Sequence, residues 1–216
     1  MIVEMYMTRD VEVISPAASL VEGIRKMSQH RIRRLVVVHG TSIQGIITHR
    51  DIVEAFPPHI NPFSAVGVDE ATVTGSIETV MKQGIITIDE HEPIEYAAEL
   101  MTRHHIGCLP VTRHGLLAGI ITESDIFRAF SKLLAGREGA IRITFDLTER
   151  ERILTFLEEA VHTLDLDLLS FLTFHDNNRR LAVAWVHGAQ VDSLIDRLWE
   201  SGHAVVNVLR PETRPQ

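Results

Sequence analysis

The sequence holds a single cysteine, Cys108, so no disulfide can close within its 216 residues. Nothing calls for an oxidising compartment, and the expected location is the cytoplasm. Long hydrophobic runs are missing as well: Gly115 to Ile121 falls far short of the roughly 20 apolar residues of a membrane-spanning helix. The Met1-Ile2-Val3-Glu4 start lacks the basic residues of a signal peptide, so the expectation is a protein neither secreted nor membrane-spanning. Positive charge is in deficit too. A formal net charge of -8 repels phosphate backbones and argues against a nucleic-acid partner. What is present is an ordinary globular composition, 45% hydrophobic and 23% charged. The length suits one or two domains able to bury roughly 70% of their extended surface.

The acidic average hides one basic stretch. From Gly23 to Arg50 there are six cations (Arg25, Lys26, Arg31, Arg33, Arg34, Arg50) and no carboxylate. A solvated helix face explains such a run when it stands alone. Here it coincides with an internal repeat. Shifting the sequence by 74 positions aligns Met7–Val53 with Met81–Phe127 without a gap, including Met7/Met81, His30/His104, Leu35/Leu109 and Gly45-Ile46-Ile47-Thr48 with Gly119-Ile120-Ile121-Thr122. Each copy reads as strand, helix, strand, strand, helix. Ser19-x-x-Glu22 is a capping box opening a helix with Leu20, Ile24 and Met27 on one face. Pro93 falls in the first turn of the matching helix, which carries Ile94, Ala98 and Met101. His39-Gly40-Thr41-Ser42 is a hairpin connection between apolar strands. One such unit leaves an apolar sheet face open, so the two copies are expected to pack around a pseudo-twofold axis with clefts between them.

Both copies end on a hydroxyl followed three residues later by a carboxylate: Thr48-His49-Arg50-Asp51 and Thr122-Glu123-Ser124-Asp125. Helix-start amides beside a threonine hydroxyl suit phosphate, and an ionised carboxylate accepts the two hydroxyls of a ribose. The alternative is a plain helix cap. Duplication in register favours a nucleotide site.

These residues carry a resemblance. The two Gly-Ile-Ile-Thr-x-x-Asp endings, the opening Met7 and Met81, Ile32-Arg33-Arg34-Leu35-Val36-Val37 and Ile106-Gly107-Cys108-Leu109-Pro110-Val111 resemble a tandem cystathionine-beta-synthase (CBS) pair, or Bateman module, over roughly residues 1–134. The resemblance implies adenosine-containing ligands (AMP, ADP, ATP, sometimes S-adenosylmethionine) in the inter-repeat clefts. It implies ribose-binding aspartates at Asp51 and Asp125 and phosphate-side hydroxyls at Thr48 and Thr122, with Arg33 matching an arginine often present in the family. Arg34, Arg50, Pro110 and Ser124 complete the candidate nucleotide-binding set. Val36 departs from the family proline, and Gly107-Cys108 stand where the first copy has Arg33-Arg34. The window Ala97–Ser124 balances Arg103 and Arg113 with Glu99 and Glu123, so the clefts are expected to be unequal, with the Asp51 cleft taking the more phosphorylated nucleotide.

From Ala140 the pattern changes. Ile141, Ile143, Phe145 and Leu147 alternate as a strand, and Thr148-x-x-Glu151 caps a helix carrying Ile153, Leu154, Leu157, Val161 and Leu164. Leu168–Phe174 and Leu181–Val186 flank a turn at His175–Arg179. Val191, Leu194, Ile195 and Leu198 mark a second helix, Gly202 its close, and Ala204–Leu209 a last strand. This βαββαβ order resembles the ferredoxin-like sheet of ACT domains. The predicted fold is therefore α/β (α+β). It comprises a CBS pair at 1–134 (repeat one 1–56, connector 57–76, repeat two 77–134), a linker at 135–139, and an ACT-like domain at 140–211. The whole resembles the AcuB type of acetoin-utilization protein. Because the first loop, Asp146-Leu147-Thr148-Glu149-Arg150, has no glycine, the last domain reads as an association surface rather than an amino-acid site. Edge pairing across a homodimer is one such use. Trp185 and Trp199 read as core residues, with the interface as the alternative.

Twelve histidines raise a metal reading, but His104-His105 diverge by about 100 degrees on a helix and no zinc spacing surrounds them, so no metal is predicted. Cys108 lies in an apolar strand and reads as a buried thiol. No nucleophile with its base emerges, and the chain is expected not to be an enzyme. The sequence points to a regulatory protein that binds adenine nucleotides between two repeats and signals through a dimeric C-terminal domain to a client protein. The alternatives are a scaffold with unoccupied clefts and an accessory protein of acetoin or acetyl metabolism.

Overall fold

The apolar runs of the first repeat become strands in the computed structural model, which describes residues 1–57, 60–64, 75–134, 139–147 and 153–210. After a 3-10 turn (Val3–Met5) come β1 (Val13–Ile14), α1 (Leu20–His30), β2 (Arg34–His39), β3 (Ser42–Thr48) and α2 (His49–Glu54). The second repeat follows the same order: a 3-10 turn (Ile77–Thr79), β4 (Ile88–Asp89), α3 (Ile94–His104), β5 (Cys108–Arg113), β6 (Leu116–Thr122) and α4 (Glu123–Leu134). Each repeat forms one three-stranded sheet, β1-β2-β3 or β4-β5-β6, with a parallel first pair and an antiparallel hairpin. Leu35, Val36 and Val37 are wholly buried, as β-branched and branched side chains on a central strand should be. His39 pairs with Ser42, so the hairpin turns on Gly40-Thr41, and Gly40 supplies the left-handed φ of +61 that the turn requires.

Two helix starts differ from the sequence expectation. Ser19 Oγ accepts the Glu22 amide at 3.1 Å, but only this half of the capping box forms. Pro93 is the N-cap of α3, with ψ at 141, one position outside the helix rather than in its first turn. The buried stripe of α3 is Ile94, Ala97, Leu100 and Met101, with Ala98 turned partly outward. Both α1 and α3 end in a left-handed residue, Arg31 and His105, each with φ 53. His105 N–H reaches back to the carbonyls of Met101 and Thr102, which turns the chain abruptly into β5.

The repeats are joined by reciprocal bridges. Thr8 and Ile120 exchange two backbone hydrogen bonds of 2.9 Å, and Ile46 and Lys82 exchange bonds of 3.1 and 2.9 Å. Position 8 plus 74 is 82, and 46 plus 74 is 120, so the bridges are images of one another. Each opening segment therefore docks on the last strand of the other repeat. Glycine makes this approach possible: a Cβ at Gly45 would lie 2.5 Å from the Lys82 carbonyl oxygen, and one at Gly119 would lie 2.6 Å from Met7 Sδ.

The C-terminal part forms β7 (Ile141–Asp146), α5 (Ile153–Thr163), β8 (Asp167–Asp176), β9 (Arg179–His187), α6 (Val191–Glu200) and β10 (Val205–Leu209). Its sheet is antiparallel in the order β10-β7-β9-β8. Ile143, Phe145, Ala182, Ala184 and Val186 form one sheet face against Leu157, Leu194 and Leu198 of the helices. The hairpin turn is tighter than the sequence suggests, Asp176 pairing with Arg179 around Asn177, whose φ is 53. Leu154, expected on the apolar stripe, is 61% exposed, and Trp199, expected in the core, is 56% exposed. Trp185 is half-buried, and its Nε1 has no partner among the described residues. The Thr148–Glu151 cap and residues 135–138 of the linker lie outside the described residues. The chain divides into two compact units, Met1–Ala129 and Phe130–Gln216, so the division falls within α4. No helix among the described residues is long and apolar enough to cross a membrane.

Candidate functional site

A cleft of about 1090 Å³ opens between the two repeats of the first unit. Its first-repeat wall includes Arg33 and Arg34 at the start of β2 and Thr48, His49 and Arg50 where β3 passes into α2. The second repeat supplies Lys82 to Ile86 from its opening segment, His104 to Cys108 from the turn between α3 and β5, and Glu123. Four cations thus face one carboxylate, with three histidines beside them. His49 is held by stacking on Phe63 of the connector, ring centroids 3.9 Å apart. Arg50 is drawn to Glu54, whose carboxylate accepts its Nε at 2.6 Å and raises its pKa. Gly107 leaves the floor open: a Cβ there would come within 2.7 Å of Arg34 Nη2 and 3.0 Å of Glu123 Oε2. Burial pushes the neighbouring Cys108 thiol up, with Arg34 pulling the other way.

Thr48 and Asp51 form a complete capping box. Asp51 Oδ2 accepts the Thr48 amide at 2.8 Å and its hydroxyl at 2.6 Å, while Thr48 Oγ1 accepts the Asp51 amide at 3.2 Å. The same three bonds tie Thr122 to Asp125 at 2.9, 2.7 and 3.4 Å. His49 N–H is also engaged, by the Arg33 carbonyl at 2.8 Å. The hydroxyl hydrogens and these helix-start amides are therefore already committed. Against the expectation of helix-start amides open to phosphate, the Thr48, His49 and Asp51 amides are engaged, and the charged groups of the first cleft that attract an anion are its side-chain cations. The aspartates are 6% and 5% exposed, and each keeps Oδ1 outside its cap. Asp51 Oδ1 lies 3.3 Å from Lys82 Nζ, across the repeat boundary. Asp125 Oδ1 accepts Arg128 Nη1 at 3.0 Å, one turn along its own helix.

Of the predicted residues, Arg33, Arg34, Thr48 and Arg50 meet in this cleft, while Asp51 does not line it but is bonded to Thr48 and paired with Lys82, which do. Thr122, Ser124 and Asp125 gather at the start of α4 and do not line it, and Pro110 is buried in β5 opposite Ile120. Lys82, His104, His105 and Glu123 are cleft residues that the motif reading passed over. The 74-residue register contains the signal, since it crosses each opening segment onto the other repeat. Among the described residues, no cluster of three or more His, Cys, Asp or Glu side chains has the arrangement of a metal site.

Comparison with known proteins agrees with this architecture. Protein MJ1225 of Methanocaldococcus jannaschii is 35% identical over 133 residues, 60% of this chain and 47% of its own length. A 33.4 kDa protein of the ribosomal RNA operon of Thermofilum pendens is 32% identical over 57% of this chain and 42% of its own length, so the chain spans less than half of either relative. The CBS domain pair of protein MJ0100, solved with 5′-methylthioadenosine and S-adenosyl-L-methionine, superposes with a TM-score of 0.51 at 26% identity, covering 61% of this chain and 97% of that one. A Vibrio cholerae structure named for acetoin utilization (AcuB) has a TM-score of 0.50 at 25% identity, covering 62% and 93%. The CBS domain model matches residues 3–58 and 77–132, just over half of the sequence and in register with the two repeats, and the chain therefore belongs to the CBS domain family.

Proposed function

We propose that this protein is a non-catalytic regulator that binds an adenine nucleotide (AMP, ADP or ATP) between its two CBS repeats. The observation that carries the reading is the convergence of Arg33, Arg34, Arg50 and Lys82 on one inter-repeat cleft beside the Asp51 carboxylate. CBS pairs are commonly ligand-binding regulatory modules, and the MJ0100 pair was crystallised with two adenosyl compounds. In this reading Asp51 receives ribose hydroxyls on Oδ1 and the arginines receive phosphate. Asp125, in a repeat that has Gly107, Cys108 and Ser124 at the positions of Arg33, Arg34 and Arg50, serves a less phosphorylated ligand.

The C-terminal unit is read as a ferredoxin-like, ACT-type association domain. Its support is the βαββαβ order with sheet order β10-β7-β9-β8, in which β10 and β8 are the edge strands among the described residues and offer an edge for pairing across a homodimer. A dimer of this kind relays nucleotide occupancy to a client protein in the cytoplasm, with acetoin or acetyl metabolism as one setting. A second reading, a scaffold with unfilled clefts, is favoured by the caps and ion pairs that already occupy both aspartates.

A melting screen of the whole chain with AMP, ADP, ATP, NAD and S-adenosylmethionine separates the two. Binding at a hundredfold excess over Kd adds about 2.7 kcal/mol to apparent stability. A flat screen at millimolar ligand leaves the scaffold. Titrating ATP and AMP into Asp51→Ala and Asp125→Ala tests the inequality of the clefts, and indistinguishable profiles reject it.

A further inference from the structure

The oxygen of Asp51 that a ribose would take is already in use. Oδ2 receives both the amide and the hydroxyl of Thr48, and Oδ1 is paired with Lys82 Nζ at 3.3 Å. The backbone of Lys82 is fixed on Ile46 by two hydrogen bonds, yet its side chain is 70% exposed at the cleft wall, against 6% for Asp51. The ammonium is therefore the movable partner and the carboxylate the fixed one. Thr8 occupies the equivalent place in the other half, where Asp125 is held by Arg128 from within its own repeat.

We infer that Lys82 is a specificity-determining residue of the first cleft, which releases Asp51 Oδ1 to a ribose diol only for a ligand that brings a phosphate in exchange. This rests on the adenine-nucleotide reading above. When a diol arrives at Oδ1, the carboxylate exchanges one partner for two hydroxyl donors and stays satisfied. The ammonium is turned out into a wall that already holds Arg33, Arg34 and Arg50. A bare nucleoside leaves that positive cluster with Glu123 as the one carboxylate facing it in the cleft, whereas a nucleotide supplies further negative charge within reach of the four-carbon stem. Selection comes as much from the unrelieved repulsion in the nucleoside complex as from attraction in the nucleotide complex.

The test is calorimetric titration of adenosine, AMP and ATP into the full chain and into Lys82→Met, which keeps the aliphatic stem, and Lys82→Arg, which keeps the charge. A far-ultraviolet melt of each variant verifies folding. Wild type should prefer AMP to adenosine by about tenfold or more, the scale of one charge-assisted contact. Lys82→Met should lose that preference by weakening AMP and ATP while leaving adenosine equal or tighter, and Lys82→Arg should retain it. If Lys82→Met weakens adenosine and AMP by the same factor, or leaves their ratio unchanged, the inference fails and the nucleotide reading stands. If wild type binds none of the three, both fail.

Discussion

Arg113 grips Glu90 with both arms of its guanidinium: Nη2 donates to Oε2 at 2.7 Å and Nε to Oε1, although the carboxylate is only 1% exposed. A second carboxylate, Glu4 of the N-terminal turn, lies 3.4 Å from the same Nη2. The N-terminal turn is bound to this region through its backbone as well, Glu4 N–H donating to the Glu90 carbonyl at 2.9 Å.

Hydrogen bonding to Arg113 lowers the pKa of Glu90 below its ordinary 4.5. A depressed carboxylate contributes stability that is complete above the ordinary value and is lost as pH falls through the depressed one. Between pH 5 and about pH 3 the melting temperature of wild type should therefore fall more steeply than that of Glu90→Gln. Parallel pH profiles in thermal unfolding would show that the pair contributes nothing to acid sensitivity.

The two capping boxes should behave alike under mutation despite their different surroundings. Thr48→Ala and Thr122→Ala each remove the hydroxyl half of a box and should cost about 1 kcal/mol in urea unfolding, within the usual range for N-caps. Arg128→Ala removes an exposed partner of Asp125 while the Thr122 bonds remain, and should cost about 0.5 kcal/mol or less. A larger loss in Arg128→Ala than in Thr122→Ala would reverse this ranking.

Glycine substitutions separate backbone crowding from side-chain crowding. Alanine at Gly45 meets the Lys82 carbonyl oxygen at 2.5 Å and Met81 Sδ at 3.1 Å, and the carbonyl is fixed in an inter-repeat bridge. Gly45→Ala should destabilise the first unit by about 2 kcal/mol or more, as overpacking does. Alanine at Gly107 meets only the ends of the Arg34 and Glu123 side chains, which can swing away. Gly107→Ala should stay within about 0.5 kcal/mol of wild type. Equal melting temperatures for the two variants would contradict this account of the crossing.

Cys108 offers a probe of the cleft. Its thiol is buried and pushed above its ordinary pKa by that burial, so a maleimide should label it slowly in the native protein and quickly in urea. Saturating nucleotide should slow native labelling further, because Cys108 lines the cleft. Fast native labelling at neutral pH would mean that β5 opens far more readily than its packing suggests.

The sequence makes the duplication legible because buried strands admit few residue types, so Leu35-Val36-Val37 and Leu109-Pro110-Val111 keep their register. It also marks Thr48 with Asp51 and Thr122 with Asp125, although their first duty is to each other as helix caps. What it conceals is who faces whom across the repeats. Lys82 stands outside the motifs of the sequence and is carried to Asp51 by the Ile46 bridge, and His105 enters the cleft through its left-handed turn. Leu154 and Trp199 mislead in the opposite direction, since apolar character at helical spacing says nothing about where the covering element ends.

The crossed bridges leave very little chain between one sheet and the next. Thr8 is pinned to β6 and Val13 to β2, while Lys82 is pinned to β3 and Ile88 to β5, so residues 9–12 and 83–87 are the two tethers that gauge the gap between the halves. Gln83, Gly84, Ile85 and Ile86 of the second tether form part of the cleft wall, and Gly84 turns it with a φ of +65 and open space where a Cβ would project. If the proposed nucleotide sits there, it bears on the same few bonds that set how far apart the halves stand, so detection would need no relay through either core.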